Sequence, residues 1–298
     1  HDELNVRKID SWNALIGGFA QQGQGQKALN SFEHMKFEGL SPDFITYISI
    51  LKASGITECL SKGQQIHEEI VSRGILRRSI LLGTTLVGMY AKCCELTKAF
   101  QVLEDLPIRN VFSWNALIGG YAQQGQGHKA LDCFQCMQGE GISPDAVTFT
   151  CILNVCSSIG AIGIGEEIHK EISSRDLLRK DLVLRNALVD MYAACSVLGK
   201  AQEVLEHLPF QNVCSWSALM AGYAQQGQGH EALSCFEKMQ SEGISPDLVS
   251  LVCISKQVKM ISLDYHFVPC ICTQVTMDSF FCHLCPSLNW FILQLIRY

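Results

Sequence analysis

Two H-x-E strings, His67-Glu68-Glu69 and His169-Lys170-Glu171, and one C-x-x-C, Cys282 to Cys285 with His283 inside it, have the spacing of catalytic chemistry. In a zinc-dependent base deaminase the glutamate of H-x-E moves protons, and its histidine shares the metal with a P-C-x-x-C pair. The pieces do not assemble in this chain. No P-C-x-x-C follows either H-x-E at a usable distance, and the two strings lie 102 residues apart, a distance that recurs elsewhere in the chain. Cys270, Cys272, Cys282 and Cys285 are four thiols that could ligate zinc, in a segment with no other motif. Gly125-Gln126-Gly127 has the composition of a phosphate-cradling loop, but no strand precedes it, so a dinucleotide site is not expected. No catalytic residue, metal or cofactor follows from these strings, and the chain is not read as an enzyme.

The recurrence at 102 residues points to the elements. Trp12, Trp114 and Trp216 head three similar segments at that period, and residues 111–145 match 213–247 at 26 of 35 positions. Each period subdivides into lengths of 35, 36 and 31. His67 and His169, Met89 and Met191, and Pro107 and Pro209 are equivalent positions of the shorter subdivisions. The expected units are 9–43, 44–79, 80–110, 111–145, 146–181, 182–212 and 213–247, with residues 1–8 the end of a preceding unit. Residues 248–298 contain no glycine, and the pattern lapses soon after Lys256, so a divergent, loosely packed tail is expected.

Each unit reads as two helices. Trp114, Leu117, Ile118 and Tyr121 fall on one face of a first helix, and Ala130, Leu131, Phe134 and Met137 form the stripe of a second. Gly125 and Gly141 end them, and Ser143-Pro144-Asp145 links to the next pair. Neither stripe can be hidden within one pair, so neighbours must stack. An all-α fold, an α-solenoid of helix-turn-helix repeats, is expected.

Composition bounds what such a solenoid does. Lys plus Arg number 23 and Asp plus Glu 29, a net charge of −6, which excludes a protein that grips phosphates by bulk positive charge. No apolar run reaches the ~18 residues of a membrane helix, the longest lying around Trp290 to Ile296. The chain opens on His1 rather than methionine, as a fragment or processed product would, and no secretory signal is legible. The 15 cysteines are too few for a disulfide scaffold of this length. Several, such as Cys133, Cys136 and Cys235, occupy helical apolar positions and read as reduced thiols.

A 35-residue helix pair reading VxSWNALIxGYAQxGxGxxALxxFxxMxxEGIxPD, with GGYAQQGQG at 119–127 and MYAKC at 89–93, resembles the pentatricopeptide repeat family of plants. The alternation of 35, 36 and 31 residues resembles its PLS subclass, with P, L and S repeats in triplets over residues 9–247. A tetratricopeptide array has a 34-residue period and no such triplet. The tail resembles neither the E nor the DYW extension of that subclass. The resemblance implies a right-handed solenoid that binds single-stranded RNA in a mitochondrion or chloroplast, one base per repeat. Its task would be RNA modification, editing in particular, or processing, with editing factors or a deaminase acting in trans.

In the family the fifth and last residues of a repeat read the base. Carried over, Asn13 with Asp43 and Asn115 with Asp145 resemble uridine pairs. Thr84 with Asn110 resembles an adenosine pair, Asn186 with Asn212 a pyrimidine pair, and Ser217 with Asp247 a guanosine pair. The L units offer Ile48 with Ser79 and Thr150 with Asp181, and Ile48 has no hydrogen-bonding group. The implied target is 5′-U-n-A-U-n-Y-G-3′. The second residue stacks on the base in the family: Leu81, Phe112, Val183 and Cys214, with Ile45 and Val147 in the L units. Asp10 breaks that pattern in the first unit. From the residues alone, Asn115 is equally a solvated helix residue and Asp145 a turn aspartate or N-cap. A protein-interaction scaffold and a non-functional gene fragment stay open as alternatives.

Overall fold

The computed structural model describes residues 2–179, 181–207 and 211–261, with side chains described over 8–77, 79–179, 181–207 and 211–254. Among them fifteen α-helices follow one another, with no strand. They are α1 (Asp2–Gln21), α2 (Gly25–Phe37), α3 (Phe44–Ile56), α4 (Leu60–Ser72), α5 (Ile80–Lys92), α6 (Leu96–Asp105), α7 (Val111–Gln123) and α8 (Gly127–Gly139). Then come α9 (Ala146–Ile159), α10 (Ile162–Ser174), α11 (Leu182–Ala194), α12 (Leu198–Glu206), α13 (Val213–Gln225), α14 (Gly229–Ser241) and α15 (Leu248–Ile261). Single 3-10 turns at Leu76–Arg78 and Leu177–Arg179 precede α5 and α11. The chain is thus all-α, as its periodicity requires.

From α3 on, the first helix of each pair starts on a side-chain cap. Oδ1 of Asp43, Asn110, Asp145, Asp181, Asn212 and Asp247 accepts the backbone N–H three residues on, at 2.8–3.0 Å. Ser79 Oγ does the same for Leu82 at 3.2 Å. Such a cap contributes about 0.5–2 kcal/mol by satisfying one of the orphan donors of a helix start. Asp43 and Asn110 form full capping boxes with Thr46 and Ser113. The helices end in left-handed turns, Gly125 at φ 68° and Gly141 at φ 73°. Glu58, Cys94 and Ser196 adopt the same conformation without being glycine, at φ 52°, 63° and 65°, so a glycine signal does not find those ends.

The chain divides after Thr148 into two compact bodies. In the first, α1 packs on α2 and α3, α3 on α4 and α5, α5 on α6 and α7, and α7 on α8. In the second, α11 packs on α10, α12 and α13, and α13 on α14 and α15. Helices α1, α3, α5, α11 and α13 each touch their own second helix and the next first helix, which is solenoid packing. Trp114, Leu117, Ile118 and Tyr121 of α7 are buried, as are Ala130, Leu131, Phe134 and Met137 of α8. Ion pairs join successive second helices: Lys62 to Glu33, Lys36 to Glu69 at 3.4 Å, and Lys200 to Glu166 at 2.5 Å.

One expectation changes on contact with the structure. Cys133 and Cys235 are buried, and burial pushes their thiols up, to about 12 and about 11, but Cys136 is exposed. Cys136 directly precedes the inward-facing Met137, and so looks outward from α8. Leu248 to Lys256, the stretch before the pattern lapses, lies within α15. Helix α15 packs on α13 and α14 and buries Ser250, Leu251, Cys253 and Ile254. Cys270, Cys272, Cys282, His283, Cys285 and the Trp290 to Ile296 run lie outside the described residues, as does Pro209. No described helix is long and apolar enough to cross a membrane.

Candidate nucleic-acid interface

From the second unit on, the fifth residue of each expected unit sits one turn into a first helix; Asn13 lies midway along α1; and the last residue of every unit caps the next first helix. Stacking of first helices brings the two side chains together. Asn115 Nδ2 donates to Asp145 Oδ1 at 2.9 Å. Asn13 Nδ2 lies 3.1 and 3.0 Å from the two oxygens of Asp43. Ser217 Oγ donates to Asp247 Oδ1 at 3.1 Å. Between Asn186 and Asn212 the sense is reversed: Asn212 Nδ2 donates to Asn186 Oδ1 at 3.1 Å. The physical cause is the cap. Asn212 Oδ1 is committed to the Ser215 N–H, so its amide nitrogen must face Asn186. Asp145 is thus both the N-cap of α9 and the hydrogen-bond partner of Asn115.

A further hydroxyl closes three of these clusters. Thr46 Oγ1 donates to Asn13 Oδ1 at 2.6 Å, Thr148 Oγ1 to Asn115 Oδ1 at 2.6 Å, and Ser215 Oγ to Asn186 Oδ1 at 2.7 Å. These residues were missed in the sequence, although Ser and Thr recur three places after the last residue of most units. The Thr84 and Asn110 pair is not brought together: the Thr84 hydroxyl is buried with no hydrogen-bond partner among the described residues. Ser217 is only 1% exposed, so of that pair the half-buried Asp247 is the side chain that faces out. Partial burial pushes the Asp145 carboxyl up. The bonds from the Thr148 N–H, the Asn115 amide, the Thr148 hydroxyl and the Val147 N–H outweigh it and hold the group below the usual aspartate value. Asp145 is then a carboxylate, an acceptor only, at neutral pH.

Beside the polar row runs an apolar one. Ile45, Leu81, Phe112, Val147 and Val183, each the second residue of a first helix, are 44%, 56%, 66%, 57% and 48% exposed. Cys214 is half-buried, and Asp10 in the first unit is exposed. Phe44, Ile80, Leu182 and Leu248, the first residues of their helices, are exposed too. One exposed apolar side chain needs no explanation, but here the same position is left open in helix after helix.

The H-x-E histidines do something else. His67 Nδ1 lies 2.9 Å from the Tyr90 hydroxyl, and His169 Nδ1 2.9 Å from that of Tyr192, joining the second helix of one pair to the first of the next. Glu69 accepts from Tyr47 at 2.7 Å, and Glu171 pairs with Arg175. Among the described residues no three His, Cys, Asp or Glu side chains converge as a metal site would need. Burial lowers both histidines. For His67, Asp105 and Glu68 oppose this and Lys98 adds to it. For His169, Lys200 adds to it and Glu203 and Glu166 oppose it. A histidine lowered in the fold binds its proton more tightly when unfolded, so stability falls as pH drops below about 6.5 toward the folded value. The double variant His67→Gln, His169→Gln should lose less melting temperature than the parent between pH 7.5 and 5.5. Equal losses in thermal melts followed by circular dichroism would remove the histidines from that account.

Helix pairs stacked so that the capping side chain of one first helix meets a side chain of the first helix before it define a helical-repeat protein. The chain belongs to the PPR repeat family, whose model matches residues 7–54, 109–158 and 211–256. The chloroplastic pentatricopeptide repeat-containing protein At4g18520 of Arabidopsis thaliana is 34% identical over 263 residues, 88% of this chain and 42% of that protein. The putative mitochondrial pentatricopeptide repeat-containing protein At3g13770 of the same plant is 34% identical over 254 residues, 85% of this chain and 40% of that protein. The chain thus spans about two-fifths of the length of the curated relatives it matches. In three dimensions it is similar to the pentatricopeptide repeat protein PPR10 in complex with an 18-nt psaJ RNA element. The TM-score is 0.74 at 19% identity, over 96% of this chain and 45% of that one. At that identity the likeness establishes the fold.

Proposed function

We propose that this chain binds single-stranded RNA in a mitochondrion or chloroplast, one base per repeat, as the recognition part of RNA editing or processing. The repeats are 9–43, 44–79, 80–110, 111–145, 146–181, 182–212 and 213–247, in the P, L, S order of the PLS subclass. The carrying observation is the side-by-side run of oriented fifth-and-last pairs and exposed second residues. The first can meet base edges and the second base faces. The organelle rests on the chloroplastic and mitochondrial relatives. Chemistry, where it follows, comes from another chain or another part of the protein.

The hydrogen-bonding inventory agrees with the base assignments. Asn115 gives one N–H to Asp145 and one oxygen lone pair to Thr148, leaving one donor and one acceptor. Uracil offers the matching N–H and carbonyl. Asn186 has its oxygen occupied by Asn212 and Ser215 and keeps both N–H donors, which suit the O2 and N3 of cytosine or the two carbonyls of uracil. Residues 1–247 carry 20 Lys plus Arg against 27 Asp plus Glu, so affinity must come from base contacts with a shallow salt dependence. Fluorescence anisotropy with 5′-U-n-A-U-n-Y-G-3′ and a scrambled oligonucleotide, at several salt concentrations, is the test. Equal affinity for both would sink the proposal. Phe112→Ala should weaken every RNA that binds by about 1–3 kcal/mol, whichever base lies opposite, because a stacking face is blind to the base edge. A loss seen with one base only would contradict that role.

A further inference from the structure

The third residue of each first helix carries information beyond its own cap. It is Thr46, Ser113, Thr148, Ser215 or Ser250 after the P and S repeats, and Leu82 or Leu184 after the two L repeats. Leu82 and Leu184 are fully buried and contribute only a backbone N–H, to Ser79 Oγ and Asp181 Oδ1. A leucine side chain has no hydrogen bond to offer Ile48 or Thr150. Where the third residue is Thr46, Thr148 or Ser215, its hydroxyl reaches back across the repeat boundary to the fifth-residue amide. Ser113 and Ser250 turn instead to the backbone carbonyls of Asn110 and Asp247, at 2.9 and 2.8 Å.

The protons at Thr148 can be placed one by one. Its oxygen accepts the Asp145 N–H at 3.2 Å. The single hydroxyl proton has two oxygens in reach, Asn115 Oδ1 at 2.6 Å and Asp145 Oδ1 at 2.9 Å, and the shorter contact takes it. The Asp145 carboxylate can only accept, so the amide nitrogen faces it. The amide of Asn115 is thus pinned at both ends, which fixes its plane and the one donor and one acceptor it turns outward. With either end released, the side chain pivots on a single bond.

We propose that Thr148, Thr46 and Ser215 are positioning residues for base recognition, each locking the fifth-residue amide of the preceding repeat. On the same logic, leucine at this place is what makes the L repeats spacers rather than readers. This rests on the RNA reading above.

The test is the full chain against a set of oligonucleotides in which the fourth base of U-n-A-U-n-Y-G, opposite residues 111–145, is varied, and a second set in which the first base is varied. Thr148→Val keeps the β-branched shape in a fully buried position and removes only the hydroxyl. It should cut discrimination for uridine at the fourth base by about threefold to tenfold, the worth of one hydrogen bond, and leave the first base unchanged. Thr148→Ser should restore it. Equal discrimination by parent and Thr148→Val would overturn the inference while leaving the RNA reading intact. A uniform loss across both sets would reduce Thr148 to a stabilising cap and overturn it too. A parent chain that discriminates at no position would overturn the RNA reading itself.

Discussion

Replacing Asp247 by asparagine should move the preferred base opposite residues 213–247 from guanosine to adenosine. Asp247 Oδ1 already takes the Ser250 N–H at 2.8 Å and the Ser217 hydroxyl at 3.1 Å. Its other oxygen is left as an acceptor for the N1–H and N2–H₂ donors of guanine. In Asp247→Asn the cap still needs an oxygen at the Ser250 N–H, so the amide nitrogen takes the outer place. A donor then meets the N1 acceptor of adenine, and guanine faces N–H against N–H. A matched polar contact of this kind discriminates by about 1–3 kcal/mol, roughly fivefold to more than a hundredfold. Binding of four oligonucleotides that differ only at the last base checks it. An unchanged order of preference would show that Asp247 does not face the base. Because Asn caps helices as well as Asp does, the fold should be unaffected.

The largest effect on stability is expected at Trp114. The side chain is buried on α7, and its Nε1–H donates to Glu140 at 3.1 Å, a carboxylate also held by Arg109 at 2.9 Å. Trp114→Ala should cost about 3–5 kcal/mol, the range for removing a buried aromatic, with RNA binding lost as the solenoid opens there. The equivalent Trp216 differs. Gln211 stands where Arg109 does, and the buried Trp216 Nε1 has no hydrogen-bond partner among the described residues. Trp114→Phe should therefore destabilise more than Trp216→Phe, since only the first leaves a partner unsatisfied. Urea titrations followed by far-ultraviolet circular dichroism compare the two. A larger cost at Trp216 would mean that packing, not the hydrogen bond, dominates.

The stripes Trp114-Leu117-Ile118-Tyr121 and Ala130-Leu131-Phe134-Met137 were legible because a helix repeats every 3.6 residues whatever surrounds it. Gly125 and Gly141 were legible as stops because a left-handed turn favours glycine. Glu58, Cys94 and Ser196 were not, since the packing around those turns imposes a conformation their side chains would not choose. The exposure of Phe112 and Leu81 could not be read from composition: an apolar residue two places into a helix looks like core until the neighbouring helix is placed. Cys136 fails in the same sense, an apolar letter on the outward face.

At the candidate site the division is sharper. Residue types and the 102-residue period alone determined a stacked helical array with Asn, Ser, Thr and Asp at recurring places, and pointed away from a deaminase centre. Those are matters of local periodicity and donor inventory, and each is settled within one or two repeats. Only the tertiary structure decided which way each amide points. That Asn115 donates to Asp145 while Asn186 accepts from Asn212, and that Thr148 closes the first and Ser215 the second, depends on three side chains from two repeats meeting within a hydrogen bond's reach. The orientation of a side-chain amide is set by its neighbours' donors and acceptors, and the neighbours are brought there by stacking, about 30 residues away along the chain.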